Sequence, residues 1–239
     1  MAFCIKCGTQ LADDANFCAK CGTAVQGAST PEKGKITLEG GAVYEGDIVD
    51  GRPHGNGKYI YSSGDVYEGG FIDGKKHGKG KYTWADGRVH EGDWANGNQN
   101  GKGKFTFPDG DVYEGDYVDG LPHGKGKYTV ANGDIYEGDY ISSKRQGKGK
   151  MTWINTGAYE GDWADDKRTG KGKFTWLNGD VYEGDWVNNQ RSGKGKFTLT
   201  DGIVYDGDWS ENKMHGKGKY TGSNGEIYEG IFENGKFVG

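Results

Sequence analysis

The sequence predicts an all-β fold built from one repeated hairpin, and three observations support this prediction. From Gly34 onward, the 239-residue chain repeats every 23 residues without an insertion or deletion. Glycine and aromatic residues are abundant, with 47 Gly, 15 Tyr, 9 Phe and 7 Trp. Asp-Gly or Asn-Gly pairs, such as Asp86-Gly87 and Asn132-Gly133, separate successive strands and are a strong signal for hairpin turns. A period of this length indicates units that bury a core only by stacking on their neighbours, so we expect a single array.

Each repeat contains two short strands, of which residues 170–176 and 181–186 are typical. Side chains alternate between the two faces of a strand, so the strands sort the residues by type. The aromatic face takes Tyr182, Gly184 and Trp186, and the charged face takes Glu183 and Asp185 with Lys171 and Lys173. We expect opposite charges to meet across neighbouring strands on the charged face. On the aromatic face we expect each ring to cover a glycine of a neighbouring strand.

One column of the repeat is almost always tyrosine. It consists of Tyr44, Tyr67, His90, Tyr113, Tyr136, Tyr159, Tyr182, Tyr205 and Tyr228. The pattern breaks most visibly at His90 and at residues 155–157, where the turn glycine is shifted by one position. A turn within each repeat carries Gly51, Gly74, Gly97, Gly120, Ser143, Asp166, Asn189 and Asn212. Asn and Asp tolerate left-handed backbone geometry, so most of this column keeps its turn chemistry.

All four cysteines lie in the first 21 residues, in two Cys-x-x-Cys pairs. The pairs are Cys4 with Cys7 and Cys18 with Cys21, and a glycine follows each pair. Two thiolates with this spacing can bind one ion from a tight turn, and a second turn completes four sulfur ligands. Two disulfides are the alternative, which the absence of a secretory signal disfavours. We predict one structural zinc ion, because four protein ligands leave no open position for catalysis.

The cysteine segment resembles the short zinc ribbons at the N-termini of many bacterial and archaeal proteins. The resemblance rests on the duplicated segments 3–9 and 17–23 and covers about residues 3–24. It implies a small recognition or docking module that folds mainly by binding its metal. We therefore expect a zinc ribbon at residues 1–24, a flexible linker at residues 25–33 and the repeat array at residues 34–239.

The repeats resemble MORN repeats. The shared pattern is Tyr-Glu-Gly, an aromatic residue two positions later, a glycine-bearing turn, His-Gly-x-Gly and an aromatic strand closed by Asp-Gly. The resemblance covers about residues 34–239, as eight full copies with partial units at both ends. It implies an elongated, open, single-layer antiparallel sheet of repeated hairpins, with the aromatic face on its concave side.

Charge and motif content argue against several functions. Lys and Arg number 30 against 35 Asp and Glu, a net charge of −5, so we expect no nucleic-acid partner. No apolar run is long enough to span a membrane and the N-terminus lacks a signal-peptide pattern, so we expect a cytoplasmic protein. The histidines His54, His77, His123 and His215 share one polar turn column. Carboxylates recur in almost every repeat, whereas an active site is a singular constellation, so we predict no enzyme activity.

The aromatic face is the remaining feature that indicates a function. Rings left uncovered on a single-layer sheet would form a long apolar strip, and such strips usually mark interaction sites. The candidate partner-binding residues are Tyr136, Tyr140, Tyr159, Trp163, Tyr182, Trp186, Tyr205 and Trp209. The alternative, that these rings only pack on each other and on glycine, stays open.

These observations predict a non-enzymatic protein-interaction scaffold. The zinc ribbon docks one partner, and the array presents an aromatic groove to another protein or to a second copy of the chain. The alternative function is a membrane-surface or phospholipid-binding tether, which the MORN resemblance suggests and the balanced charge disfavours.

Overall fold

The computed structural model describes residues 2–4, 6–12, 15, 17–23 and 30–239, and it is almost entirely β. The chain divides into two compact units, Met1–Leu121 (unit 1) and Pro122–Gly239 (unit 2). The strands of unit 1 are β1 (Ala2–Phe3), β2 (Gln10–Leu11), β3 (Glu32–Thr37), β4 (Val43–Val49), β5 (Arg52–Ile60), β6 (Val66–Ile72), β7 (Lys75–Thr83), β8 (Val89–Ala95), β9 (Asn98–Thr106) and β10 (Val112–Val118). A single 3-10 turn, Glu39–Gly41, separates β3 from β4.

Unit 2 continues the same alternation of strands. They are β11 (Leu121–Thr129), whose first residue belongs to unit 1, β12 (Ile135–Ile141), β13 (Lys144–Trp153), β14 (Gly157–Ala164), β15 (Lys167–Trp176), β16 (Val181–Val187), β17 (Gln190–Thr198), β18 (Val204–Ser210), β19 (Lys213–Thr221), β20 (Ile227–Glu233) and β21 (Lys236–Phe237).

Within each unit, every strand of the array pairs antiparallel with its neighbours in the chain. Unit 1 pairs β3 through β10 in order. Unit 2 pairs β11 through β21 in order. Among the residues described in each unit, the first and last strands do not pair with each other, so each sheet is open. The predicted fold class, a single-layer antiparallel sheet of repeated hairpins, is confirmed.

The array begins slightly earlier than the sequence predicts. Strand β3 starts at Glu32, inside the predicted linker of residues 25–33, and Lys33 pairs with Asp47 at 2.7 Å between Nζ and Oδ1. The physical reason is that Lys33 and Lys35 place lysines opposite Asp47 and Glu45, as the lysines of later repeats do. Residues 25–29 of the predicted linker lie outside the described residues.

A short turn connects the first strand of each repeat to the second. Short turns such as Asp50-Gly51 have two consecutive residues with positive φ, 47° and 75°. In unit 2, Asn188 and Asn189 adopt the same geometry without glycine, with φ of 48° and 71°. Two consecutive positive φ values define the type I′ hairpin turn, whose twist matches that of paired strands. The predicted turn column is therefore confirmed, since its Asn and Asp residues hold left-handed geometry.

The observed register confirms how the side chains sort by face. Tyr182 lies opposite Phe174, and Glu183 lies opposite Lys173. The ring of Tyr159 covers Gly172 so closely that a Cβ there would lie 2.3 Å from the tyrosine Oη. The rings thus replace the packing that glycine lacks, and the core of this single-layer sheet consists of rings lying on bare backbone.

A β-bulge interrupts the first strand of most repeats, and one aspartate stabilises it. In β18 the register shifts between Gly207 and Trp209, next to Asp208. The Tyr205 hydroxyl donates to the Asp208 carbonyl at 2.9 Å, and Asp208 Oδ2 accepts the backbone N–H of Lys217 at 2.9 Å. Asp208 Oδ1 lies 2.6 Å from Lys194 Nζ. The hydrogen bonds from Lys194 and Lys217 hold the pKa of Asp208 below its ordinary value, so one carboxylate links three strands.

The ribbon contacts the start of the array within unit 1. Strands β1 and β2 pair through Ala2 with Leu11 and Phe3 with Gln10. The ring centroid of Phe17 lies 4.0 Å from that of His54 on β5, and both side chains are buried. The ribbon therefore packs on the first hairpins through this ring pair.

Candidate functional site

The four cysteines converge on one site. Two knuckles with the same hydrogen bonds present them: Gly8 N–H donates to the Cys4 carbonyl and Gly22 N–H to the Cys18 carbonyl, each at 2.8 Å. Gly8 and Gly22 have φ of 69° and 70°, which a glycine adopts without strain. All four Sγ atoms lie within 4.8 Å of one another. Among the described residues, this is the one cluster of three or more potential metal ligands.

The sulfur geometry fits a tetrahedral zinc ion. Cys4 Sγ lies 3.5 Å from Cys21 Sγ, and Cys7 Sγ lies 3.5 Å from Cys18 Sγ. A tetrahedron with Zn–S bonds of about 2.3 Å places its sulfurs about 3.8 Å apart, close to these values. Hydrogen bonds with the side chain and backbone of Thr9 lower the pKa of Cys7 to about 6, whereas burial raises the pKa of Cys18 to about 11. The four cysteines thus suit a closed structural zinc site.

All eight predicted partner-binding residues are buried. Tyr136, Tyr140, Tyr159, Trp163, Tyr182, Trp186, Tyr205 and Trp209 are at most 6% exposed. The Trp186 ring centroid lies 5.2 Å from those of Tyr159 and Tyr182, both edge to face. Its Nε1 donates to the Gly172 carbonyl at 3.1 Å. The expectation that these rings stay accessible is therefore wrong, because rings of the same and of neighbouring repeats pack against them. Their contact with a partner stays a prediction.

Beside this core, unit 2 has a cleft of about 430 Å³, lined by half-buried rings and guanidinium groups and by exposed amides. The lining includes the rings of Trp153 and Trp176, the guanidinium groups of Arg168 and Arg191 and the amides of Asn189 and Asn212. The Trp153 and Trp176 indole N–H groups donate to none of the described residues, unlike that of buried Trp186. The cleft therefore offers both apolar surface and free hydrogen-bond donors.

The irregular repeat at residues 155–157 borders the cleft. In the repeats that carry Asp65, Asp134 and Asp180, this loop aspartate bonds to the next loop, as Asp180 Oδ1 accepts the Thr200 N–H at 3.0 Å. Gly157 occupies the position equivalent to Asp180, and the Thr156 carbonyl accepts the Leu177 N–H at 3.2 Å instead. Thr156 itself lines the cleft. The predicted break in the pattern thus removes a carboxylate from this part of the sheet.

Arginines on the aromatic face were missed in the sequence analysis. Arg145, Arg168 and Arg191 follow the short turns of three successive repeats. Their guanidinium carbons lie 4.6, 4.5 and 4.3 Å from ring centroids of the next repeat, at Trp163, Trp186 and Trp209. The signal that could have found them is their spacing of 23 residues, one repeat apart.

A second groove of unit 2 lies on the charged face. It has a volume of about 1400 Å³ and is lined by Lys and Glu side chains above glycine pairs such as Gly172 and Gly184. The MORN resemblance implied an aromatic concave side, whereas this groove lies on the charged side of the sheet. The physical reason is that the rings fill the space on the aromatic side of these glycines, while extended lysines and glutamates leave room on the charged side. Ion pairs such as Lys171 with Asp185, at 2.7 Å, flank this groove.

Family comparisons identify both parts of the chain. A zinc-ribbon domain matches residues 3–25. The MORN repeat matches residues 44–66, 67–87, 90–112, 113–135, 136–157, 159–181, 182–204, 205–227 and 228–239. Because these matches span most of its length, the chain belongs to the MORN-repeat family. A MORN array with a zinc ribbon indicates a binding or scaffold role.

The array is also weakly similar to solved structures of a different kind. No curated protein is significantly similar to the chain. The wild-type TCP10 domain of Danio rerio CPAP is 11% identical, with 84% of this chain and 98% of that chain covered and a TM-score of 0.47. The same domain in complex with a peptide of Danio rerio STIL is 12% identical, with coverages of 84% and 99% and a TM-score of 0.45.

The described residues contain no helix with the length and apolar character needed to cross a membrane.

Proposed function

We propose that the chain is a non-enzymatic protein-interaction scaffold. In this proposal the aromatic face of unit 2 binds a segment of a partner protein, and the zinc ribbon docks a second protein. The proposed contact surface is the cleft around Trp153 and Trp176, with the buried tyrosine and tryptophan columns as its support. A cytoplasmic location belongs to the same proposal.

One observation carries this function. Trp153 and Trp176 are half-buried, and their indole N–H groups have no partner among the described residues. Tryptophans with an apolar body and a free polar tip are typical anchors of protein interfaces. The Trp176 ring is held in place by its neighbours, with its centroid 4.4 Å from that of Phe174 and 5.3 Å from that of Phe197. A rigid anchor loses little conformational entropy on binding.

Affinity capture with the full chain as bait, in extract of the native host, tests the proposal. The test variant is Trp153→Ser with Trp176→Ser, and the matched control is Leu177→Ser, because Leu177 is 66% exposed outside the cleft. A partner should be captured by the wild type and the control and lost from the double variant. If a folded double variant captures the same proteins as the wild type, the cleft is not the binding surface.

The ribbon is tested separately with Cys4→Ser combined with Cys7→Ser in the full chain. This variant should lose a different captured protein, because it removes two of the four sulfur ligands that hold the ribbon together. A second copy of the chain is the other protein partner that the sequence predicts. Sedimentation of the purified variants distinguishes self-association from binding to another protein.

A further inference from the structure

Two of the three arginines in the arginine column of unit 2 lack a carboxylate partner. Arg145 Nε lies 3.0 Å from Asp166 Oδ1 and forms an ion pair. At the positions equivalent to Asp166, the next two repeats carry Asn189 and Asn212. No acidic side chain lies within ion-pair distance of Arg168 or Arg191 among the described residues, and none lines the cleft. Two positive charges are therefore left unneutralised in a chain whose net charge is −5.

The backbone geometry at the three positions is the same, so the difference is one of charge. Asp166 Oδ1 accepts the Arg145 backbone N–H at 3.1 Å, and Asn189 Oδ1 accepts that of Arg168 at 2.8 Å. Asp166, Asn189 and Asn212 have φ of 66°, 71° and 68°. The carbonyls of Asn189 and Asn212 accept Nη2 of Arg168 and Arg191 at 2.9 and 2.8 Å.

The rings and carbonyls fix both guanidinium groups at the cleft. Their partial burial removes part of the hydration of both cations, and this desolvation lowers the pKa of Arg168 and of Arg191. An anion at the cleft would restore the lost interactions through charge-assisted hydrogen bonds.

The spacing of these groups selects the conformation of a ligand. Equivalent groups of successive repeats are two strands apart, about 10 Å at roughly 4.8 Å per strand. A polyproline II helix advances about 3.1 Å per residue with three residues per turn, so every third side chain recurs on one face after about 9.3 Å. An extended strand repeats one face at about 6.7 and 13 Å, which does not match. Trp153 and Trp176 are also one repeat apart, and aromatic grooves with free indole donors suit this helix.

We propose that the cleft binds a polyproline II segment of a partner protein that carries an acidic residue at every third position. The proposal rests on the proposed scaffold function and names its ligand class. Acidic side chains pair with Arg168 and Arg191, while the residues between them pack on Trp153 and Trp176. The two indole N–H groups donate to carbonyls of the bound segment.

Fluorescence anisotropy with the full-length, zinc-loaded protein tests the ligand class. The probe is a fluorescein-labelled peptide of four Glu-Pro-Pro units. Comparison peptides are four Gln-Pro-Pro units, which lack the charge, and six Glu-Pro units, which have more charge in the wrong spacing. The Glu-Pro-Pro peptide should bind about tenfold more tightly than either one, since two charge-assisted pairs are at stake. Equal binding of the Gln-Pro-Pro peptide would overturn the charge argument, and equal binding of the Glu-Pro peptide would overturn the spacing argument.

The chain itself supplies the sharpest variants. The double variant Asn189→Asp with Asn212→Asp places a carboxylate where Asp166 stands in the preceding repeat, so both arginines gain an internal partner. Its affinity for the Glu-Pro-Pro peptide should fall about tenfold or more. Asp166→Asn frees Arg145 and should tighten binding of the same peptide. The matched control is Asn132→Asp with Asn224→Asp, which adds two negative charges at exposed loop positions where other repeats carry Asp109 and Asp201.

The outcomes separate this inference from the scaffold proposal. If Asn189→Asp with Asn212→Asp binds the peptide as the wild type does, with circular dichroism unchanged, the acidic ligand is wrong. If a captured native partner is lost with Trp153→Ser and Trp176→Ser but kept with the two new aspartates, the scaffold stands and the acidic ligand is again wrong. A third outcome is that the peptides bind as expected but the Trp153→Ser, Trp176→Ser variant captures the same proteins as the wild type. The scaffold role of the cleft is then wrong, and its ligand class stands.

Discussion

Replacing His90 with tyrosine should stabilise unit 1. His90 lies in the tyrosine column, is 0% exposed, and neither ring nitrogen has a hydrogen-bond partner. In the flanking repeats, the hydroxyls of Tyr67 and Tyr113 donate to the carbonyl three residues later, both at 3.1 Å. His90 covers Gly103 as Tyr67 covers Gly80, so a tyrosine ring occupies an equivalent space.

The expected gain follows from the polar atoms. An unpaired buried polar group costs about 1–3 kcal/mol, and a new hydrogen bond contributes about 0.5–1.5 kcal/mol. The hydroxyl of the new tyrosine would donate to the carbonyl of Asp93, the equivalent acceptor. We therefore expect His90→Tyr to raise the free energy of unfolding by about 2 kcal/mol at neutral pH.

The same substitution should change the response to acid. Burial, together with the positive charge of Lys76, lowers the pKa of His90 from 6.5 to about 4. Above pH 6.5 the histidine is neutral in both states. As the pH falls from 6.5 to about 4, the unfolded chain gains a proton that the folded chain excludes, so the wild type loses up to about 3 kcal/mol. His90→Tyr should lack this loss.

Urea unfolding followed by tryptophan fluorescence measures both effects. The Trp94 ring lies edge to face with His90 at 5.3 Å between centroids, so its emission reports on this repeat. The matched control is Tyr67→His, which should lower the urea midpoint, because Tyr67 is also 0% exposed in the same column. A His90→Tyr midpoint at or below that of the wild type, or an unchanged acid response below pH 6.5, would refute this reasoning.

Three further predictions concern the metal, the glycines and lipids. Elemental analysis of protein purified under reducing conditions should find one zinc ion per chain, and metal-free wild type would contradict the site. Gly172→Ala should destabilise unit 2 by more than about 2 kcal/mol, since the added Cβ would lie 2.3 Å from Tyr159 Oη; an unchanged urea midpoint would show that the ring moves aside. Anionic liposomes at physiological salt should not co-sediment the protein, because lysines such as Lys171 are paired with aspartates. Co-sedimentation that Trp153→Ser abolishes would favour the membrane-tether alternative.

The hairpin array could be predicted from sequence because its signals are local. A turn pair such as Asn132-Gly133 and the alternation around Tyr182 act over a few residues, and the 23-residue period repeats them. The cysteine spacing similarly predicts the metal site without knowledge of the rest of the chain. The burial of Trp186 could not be predicted in this way, because rings from two repeats cover it. The alternation of side chains predicts on which face of the sheet a ring lies, but not how much of the ring is exposed.

The cleft was beyond the sequence analysis for a similar reason. Its charge depends on which residue stands 21 positions after each arginine, as Asp166 does for Arg145 and Asn189 does for Arg168. Only the turn geometry brings those positions together. The bulge was also missed, since the role of Asp208 depends on a Lys217 N–H that the register shift leaves unpaired with backbone.

Among the described residues of unit 2, each strand pairs only with its neighbours in the chain, and this arrangement also determines how the sheet responds to tension. A pull on the ends of unit 2 loads the hydrogen bonds of the outermost hairpin one after another, whereas strands sheared past each other would share the load. We expect hairpins to peel from the ends at low force, in steps that each release 23 residues, roughly 80 Å of contour length. The hairpins between them keep their ring packing, because each depends on the repeats beside it. Under tension we therefore expect unit 2 to lengthen in discrete increments while the hairpins that line its cleft stay folded.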